Sequence, residues 1–143
     1  MNLNLNNKNA LVCGSTQGIG KATAMALAAE GVNVTLVARN EEKLKQVLAE
    51  LPEHRNHNYI IADFSNPRDL QEKVLNYIDK NNGFHILVNN TGGPRSGAIL
   101  SATLEEFENT FIQHLKCNHV LAQATIPFMK TEGFGRIINV IST

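Results

Sequence analysis

The chain has 143 residues, the size of about one domain, and its 13 Lys and Arg balance its 13 Asp and Glu. This balance excludes a strong field that would favour nucleic acid or an anionic membrane as a partner. The sequence shows no signal peptide, which would have a basic stretch followed by an apolar region, and no run of about 18 apolar residues that could span a membrane. We therefore expect a cytoplasmic protein with no membrane contact.

Five short runs of branched aliphatic residues predict β-strands. Most of them are apolar at nearly every position rather than at alternate positions. This pattern is typical of parallel strands whose two faces are both covered. In chain order the predicted strands are residues 10–13, 32–38, 59–63, 85–89 and 136–141.

Four amphipathic or alanine-rich segments between these runs predict helices. Each begins or ends at a residue suited to capping a helix. The segments are residues 18–31 ending at Gly31, 40–51 after Asn40, 65–83 with Asn66 and Pro67, and a long helix from the Thr103–Glu106 capping box to about residue 130. Strand and helix alternate, which predicts an α/β fold with a doubly wound parallel sheet.

The two cysteines, Cys13 and Cys117, lie in apolar segments. Neither has a second Cys or a His at metal-binding spacing. Because free cysteine usually behaves as a small core residue, we expect two buried thiols and no metal site.

Polar and glycine-rich motifs follow the predicted strands on one side of the sheet. Ligands of open parallel sheets bind outside the carboxyl ends of the strands, so these motifs mark the candidate site. They are "GSTQG" after the first strand, Arg39 after the second, Asp63 at the end of the third, "NNTGG" around the end of the fourth, and Ser142 after the fifth.

The loop between the first strand and the first helix has the features of a phosphate-binding turn. Gly14 permits a sharp turn, Gly18 permits close approach of a pyrophosphate to the helix N-terminus, and Gly20 permits the helix to pack closely on the sheet. Hydroxyl groups of Ser15 and Thr16 are potential phosphate donors. The expected nucleotide-binding residues of this loop are Gly14, Ser15, Thr16, Gly18, Ile19 and Gly20.

The spacing G-x-x-x-G-x-G resembles that of the short-chain dehydrogenase/reductase family. The "AD" at 62–63, "NNTGG" at 89–93, "QATIPFMK" and "GRIINVIS" follow in the family's order, so the resemblance covers the whole chain. The last motifs are most similar to the 3-oxoacyl-acyl-carrier-protein reductase-like group. The resemblance implies a Rossmann-type dinucleotide-binding domain over residues 1–143, with the strands of its sheet in the order 3-2-1-4-5. It also implies a small carbonyl compound, such as a 3-oxoacyl thioester, as substrate.

The second strand ends in Ala38-Arg39-Asn40, without the acid that commonly accepts hydrogen bonds from the ribose of NAD. Arg39 suits a 2′-phosphate, so we expect NADP rather than NAD as cofactor. A solvated surface charge is the alternative interpretation of Arg39. The neutral Gln17 differs from the basic residue that many NADP-dependent relatives carry in the glycine loop.

The resemblance also implies roles for residues near the third and fourth strands. In the family, the residue at Asp63 holds the adenine amino group, and Asn89 and Gly92 lie along the adenosine and nicotinamide ribose. Asp63 as a helix-capping acid is the structural alternative. For Asn90, a structural role that ties the fourth strand to its neighbours is equally weighted with a role in binding.

The family reduces carbonyls with a tyrosine, a lysine, a serine and a relay asparagine. Ser142 matches the serine that hydrogen-bonds the carbonyl, and a polar residue at a strand end is the alternative interpretation. His114 stands where the relay asparagine is expected, and histidine exchanges a proton readily near neutral pH. The alternative for His114 is a packed, hydrogen-bonded structural histidine beside an apolar stripe.

The family's Tyr-x-x-x-Lys pair would follow about a dozen residues beyond Ser142, where the given sequence has ended. We therefore expect this chain to be the nucleotide-binding part of a reductase, truncated before the catalytic segment and inactive by itself. A non-catalytic dinucleotide-binding module and an inert truncated fragment are the alternatives. In relatives the fourth helix lies in a subunit interface, so exposure of the stripe with Phe107 and Phe111 would favour a homo-oligomer.

Overall fold

The computed structural model of the protein describes residues 3–53, 55–93 and 96–141. Five parallel strands form one sheet in the order β3-β2-β1-β4-β5, as the sequence predicted. The strands are β1 (Asn9–Cys13), β2 (Asn33–Ala38), β3 (Asn58–Ile61), β4 (Ile86–Asn89) and β5 (Arg136–Asn139). The helices are α1 (Gly18–Ala29), α2 (Glu41–Glu50), α3 (Pro67–Lys80), α4 (Leu104–Phe111) and α5 (Cys117–Thr131).

The predicted long fourth helix is present but is not uniformly α-helical. A π-helical segment, Ile112–Lys116, joins α4 to α5, and a short 3-10 turn, Ile99–Ser101, precedes α4. Across the described parts of the chain, no helix is both long and apolar enough to cross a bilayer.

Side-chain caps start three of the helices where the sequence placed them. Asn40 accepts a hydrogen bond from the Lys43 backbone N–H at 2.9 Å, and Asn66 accepts one from the Asp69 N–H at 3.2 Å. Thr103 forms the complete capping box at the start of α4. These caps satisfy backbone donors that the first turn of a helix leaves unpaired.

The sheet is covered on both faces by two separate hydrophobic clusters. One contains buried residues of α3 and α5, and the other contains residues of α1 and α2. Cys13 and Cys117 are free and buried, as predicted, and burial raises the pKa of both thiols, that of Cys117 to about 11. The strands β1, β2 and β4 are consequently buried almost throughout.

The edge strand β5 departs from the prediction that its two faces are covered. All four of its residues are exposed, and Ile137 and Ile138 retain 39% and 46% of their accessible surface. The apolar run does predict the strand correctly, because β5 pairs with β4 along its whole length. Coverage depends on what packs against an edge strand, which the run itself does not specify.

The first helix packs against the end of β1 through backbone rather than through side chains. A Cβ atom added at Gly20 would lie 2.7 Å from the Gly14 carbonyl carbon and 2.8 Å from the Asn90 Nδ2, with the Gly14 carbonyl oxygen closer still. Gly14 itself has a φ of +58°, a conformation that glycine adopts without strain. The start of α1 is therefore held over the carboxyl end of β1.

Because backbone atoms fill the space beside Gly20, we expect Gly20→Ala to lower the free energy of unfolding by about 1–3 kcal/mol, the usual cost of overpacking. Urea denaturation measures this change. The matched control is Gly97→Ala, since no atom lies within 4 Å of its Cβ position. Equal stabilities of the two variants would contradict the proposed close approach.

Candidate functional site

A cleft of about 620 Å³ lies at the carboxyl edge of the sheet, between the ends of β1, β2 and β4. The motifs that the sequence placed at this edge come together around it. The predicted nucleotide-binding residues that line the cleft are Gly14, Thr16, Gly18, Ile19, Arg39, Asp63 and Gly92.

The N-terminus of α1 opens toward this cleft without a side-chain cap. Its N-cap residue, Gln17, makes no capping hydrogen bond, and its first turn carries no acidic residue. The helices α2 and α3, by contrast, are capped by asparagine side chains, and α4 is capped by Thr103. Free N–H groups at a helix N-terminus and the helix dipole together suit an anion such as a pyrophosphate.

Two cleft glycines leave room for a ligand to approach the backbone. Gly18 has a φ of +54°, and at both Gly18 and Gly92 an added Cβ would have no atom within 4 Å. A side chain at either position would extend into the space of the cleft. The observed backbone thus fits the close approach of a phosphate and a ribose that the sequence predicted.

Three predicted binding residues have other contacts. The Ser15 hydroxyl is fully buried and hydrogen-bonds the backbone of Val37, accepting from its N–H at 3.0 Å and donating to its carbonyl at 3.4 Å. The Asn89 Nδ2 donates to the Asn139 Oδ1 at 2.8 Å and so ties β4 to β5. Neither side chain lines the cleft, and Gly20 acts through helix packing.

The end of β2 gives the cleft its positive charge. Arg39 is exposed and lines the cleft together with Asn40 and Lys43, which lies one helical turn farther along α2. The acid of an NAD-type site is replaced here by these two cations. A negatively charged group near β2 would therefore be attracted rather than repelled.

Asp63 faces the same cleft from the segment after β3. Its Oδ1 accepts a hydrogen bond from the Ser65 backbone N–H at 2.9 Å. This bond lowers the pKa of the Asp63 carboxyl, and the nearby charge of Arg39 lowers it further. Asp63 is therefore an ionised acceptor at neutral pH.

Asn90 has the structural role that the sequence left open. Its Nδ2 donates to the carbonyl oxygens of Cys13 and Gly14, both at 3.3 Å, so it joins β4 to the glycine turn. The same side chain borders the cleft. Asn90 thus fixes the relative positions of the two loops that form the cleft.

The π-helical segment lies at the opposite end of the cleft from Arg39. His114 is half-buried, and its Nδ1 lies 2.8 Å from the Thr91 Oγ1. Its neighbour Gln113 and the glycine pair after Thr91 line the cleft. His114 thus makes a side-chain hydrogen bond with the Thr91 hydroxyl, whereas Ser142 lies outside the described residues.

Several cleft residues were not found from the sequence. Their positions next to recognised residues were the available signal, because Lys43 follows the Asn40 cap, Phe64 follows Asp63 and Gln113 precedes His114. The residues missed in this way are Lys43, Phe64 and Gln113, whereas Gln17, Thr91 and Gly93 lie inside the motifs that marked the site.

A second cavity, of about 430 Å³, lies at the amino edge of the sheet, where β1, β2 and β3 begin. Its lining includes Asn9, Asn33 and Asn58 but no Lys or Arg. It is therefore less suited to a phosphorylated ligand than the carboxyl-edge cleft. Among the residues that the structure describes, no cluster of His, Cys, Asp and Glu could hold a metal ion.

The parallel sheet, its strand order and its glycine turn define a Rossmann-like domain. Residues 8–143 match the family described as short chain dehydrogenase, and the chain belongs to this family.

Two of the proteins that the chain is similar to are oxidoreductases by name. It is 31% identical over 142 residues to a (2S)-[(R)-hydroxy(phenyl)methyl]succinyl-CoA dehydrogenase subunit of Thauera aromatica, covering 98% of this chain and 57% of the relative. L-Sorbose reductase from Gluconobacter frateurii, solved with NADPH and L-sorbose, is 29% identical with a TM-score of 0.87, covering 97% of this chain and 54% of that one.

A blue fluorescent protein from a metagenomic library, solved with NADPH, is 31% identical with a TM-score of 0.88, covering 97% of this chain and 57% of that one. The chain thus spans a little over half the length of these relatives.

The Asn90 Nδ2 group bonds two carbonyl oxygens, so removing this donor should lower the stability of the protein. Asn90→Asp places a carboxylate against two carbonyl oxygens, so we expect the free energy of unfolding to fall by about 1–3 kcal/mol. Chemical denaturation measures the effect. Asn76→Asp is the matched control because Asn76 is exposed on α3, and its effect should stay within about 0.5 kcal/mol. An equally mild effect of Asn90→Asp would contradict the structural role of Asn90.

Proposed function

We propose that this chain forms the nucleotide-binding part of an NADP-dependent carbonyl reductase. The observation that carries the proposal is that the uncapped N-terminus of α1 and the cations Arg39 and Lys43 share one cleft. NADP has two separate anionic groups, a pyrophosphate and a 2′-phosphate, and the cleft offers two separate positive regions. The NADPH complex of L-sorbose reductase, a structural neighbour, supports the same cofactor class.

The residues present suggest how the cofactor would be held. Gly14, Gly18 and the first turn of α1 would bind the pyrophosphate, Arg39 would bind the 2′-phosphate, and Asp63 would accept a hydrogen bond from the adenine amino group. When bound, the nicotinamide supplies a hydride to a carbonyl carbon. The protein's part is to fix the cofactor along the strand ends and to orient the acceptor.

Two residues are proposed for the chemistry. Ser142 would donate a hydrogen bond to the substrate carbonyl, as its place after β5 implies. His114 would take the place of the relay asparagine. Its 2.8 Å contact with the Thr91 hydroxyl supports this role, because both groups can donate and accept a proton.

The proposed substrate is a small carbonyl compound, with a 3-oxoacyl thioester as the specific candidate. The thioester proposal rests on the "GRIINVIS" motif and on a relative named as a succinyl-CoA dehydrogenase subunit. A dinucleotide-binding module without catalysis is the second candidate, since the described cleft contains groups that suit nucleotide binding.

The cofactor proposal predicts that NADPH binds more tightly than NADH and that Arg39→Ala narrows the difference. A charge-assisted hydrogen bond contributes about 1.5–3 kcal/mol. The ratio of the NADH and NADPH dissociation constants should therefore fall by roughly tenfold to a hundredfold in Arg39→Ala. Fluorescence titration of both nucleotides measures it. Lys43→Ala should act in the same direction.

The matched control is Lys45→Ala, because the Lys45 Nζ is paired with the Glu41 Oε1 at 3.0 Å and does not line the cleft. This variant should keep the preference of the parent. Equal affinities of the parent for NADPH and NADH would refute the preference for NADP.

We also propose a homo-oligomer that buries the outer face of α4. Phe107 and Phe111 retain 69% and 43% of their accessible surface, and Leu115 retains 57%. Large exposed apolar side chains in one stripe commonly mark a protein–protein contact. A second copy of the chain is the proposed partner.

Light scattering at tens of micromolar should therefore show an oligomer, and Phe107→Asp should shift it toward the monomer without lowering the free energy of unfolding of the monomer, since the side chain is exposed. Leu75→Asp is the control, because Leu75 is exposed on α3, away from this stripe. A parent protein that remains monomeric would count against the oligomer.

A further inference from the structure

The π-helical segment Ile112–Lys116 is a departure from regular helix that its own sequence does not require. The segment, "IQHLK", contains neither proline nor glycine. A π turn has poorer geometry than an α turn and frequently occurs at a functional site. It also rotates the side chains that follow it relative to those that precede it, so it changes which residues face the cleft.

The polar contact made by this segment is directed at the loop after β4. The His114 Nδ1 lies 2.8 Å from the Thr91 Oγ1, while the His114 Nε2 is farther away at 3.5 Å. Thr91 borders the cleft, and Gln113 borders it from the helix side. The segment is thus connected to the wall of the cleft through one short side-chain hydrogen bond.

The loop needs such a connection because the two residues after Thr91 are glycines. Among the described residues other than their chain neighbours, no atom lies within 4 Å of a Cβ position at Gly92 or Gly93, so the side chains of those residues do not confine the two glycines. Glycine also has the largest backbone freedom to lose on ordering. Upstream, Asn90 is held by the Cys13 and Gly14 carbonyls, which leaves the Thr91 hydroxyl as the next anchoring group along the loop.

The proposed function implies an orientation for the cofactor along the cleft. Arg39 and Lys43 lie at the β2 end, and the N-terminus of α1 lies in the middle. If the 2′-phosphate is at β2 and the pyrophosphate is at α1, the nicotinamide half of the cofactor extends toward the other end. That end is formed by Thr91, the two glycines and Gln113.

We propose that Thr91 and His114 are positioning residues for the nicotinamide half of the cofactor, acting through the hydrogen bond that holds the glycine loop against the π-helical segment. This inference rests on the proposed function. It assigns the two halves of the bound dinucleotide to different residues, because residues at the ends of β1 and β2 and in the segment after β3 would hold the adenosine half. Loss of the hydrogen bond therefore affects binding of one half and spares the other.

Two probes test this separation. NADPH contains both halves, whereas adenosine 2′,5′-bisphosphate contains the adenosine half with its 2′-phosphate and lacks the nicotinamide. Thr91→Val removes the hydroxyl with little change of shape, and His114→Leu removes the imidazole. Each should weaken NADPH binding by roughly threefold to tenfold, the effect of one hydrogen bond, and leave binding of adenosine 2′,5′-bisphosphate within about twofold of the parent.

Two further variants distinguish positioning from a general structural role. Thr91→Ser keeps the hydroxyl and should bind NADPH as the parent does. The double variant Thr91→Val with His114→Leu should bind NADPH no more weakly than either single variant, since both changes remove the same bond. Circular dichroism of each variant checks that the fold is retained.

Equal weakening of both probes, additive losses in the double variant, or unchanged NADPH affinity in both single variants would each overturn the inference while leaving the proposed function intact. A parent protein that binds neither probe would overturn the proposed function and this inference together. A selective loss for NADPH with recovery in Thr91→Ser supports the positioning role.

Discussion

The close approach between the start of α1 and the end of β1 is the contact on which the site depends. Gly20 lies against the backbone of Gly14 with no room for a Cβ atom, and the Asn90 amide joins the same point from β4. Because backbone meets backbone, the N-terminus of α1 is fixed over the strand ends. A larger residue at Gly20 would move the helix away and widen the space in which a phosphate would be held.

This arrangement creates a cleft with different chemistry at its two ends. Cationic side chains at the end of β2 lie near an ionised carboxylate after β3. The end near β4 contains a pair of glycines and a threonine that the His114 imidazole hydrogen-bonds. Parallel strands in register bring these groups to one edge although they are far apart in sequence. This difference between the two ends would orient an extended ligand that carries a negative charge at one end.

Two surfaces of the domain remain apolar and uncovered in the described parts of the chain. The edge strand β5 exposes Ile137 and Ile138, and the outer face of α4 exposes Phe107. The chain covers only 57% of the succinyl-CoA dehydrogenase subunit and 54% of L-sorbose reductase. Apolar surface of this kind is commonly covered by further protein, whether from the same chain or from another subunit.

Local rules in the sequence determined the strands, the helix caps and the glycine turn. Asn66 with Pro67 and Thr103 with Glu106 act within a few residues of one another, and the parallel pairing of the strands follows from the alternation of strands and helices. These features depend on short-range chemistry and on the handedness of crossovers, both of which a sequence pattern records.

The tertiary structure alone decided how individual polar groups are used. Ser15 bonds to β2 rather than to the cleft, Asn89 bonds to β5, and Lys43 joins Arg39 at the end of β2. The contact between Thr91 and His114 involves a π-helical segment that contains neither proline nor glycine and that the sequence did not predict. Each of these outcomes depends on the register and rotation of elements distant in sequence, and those are fixed by packing rather than by any local pattern.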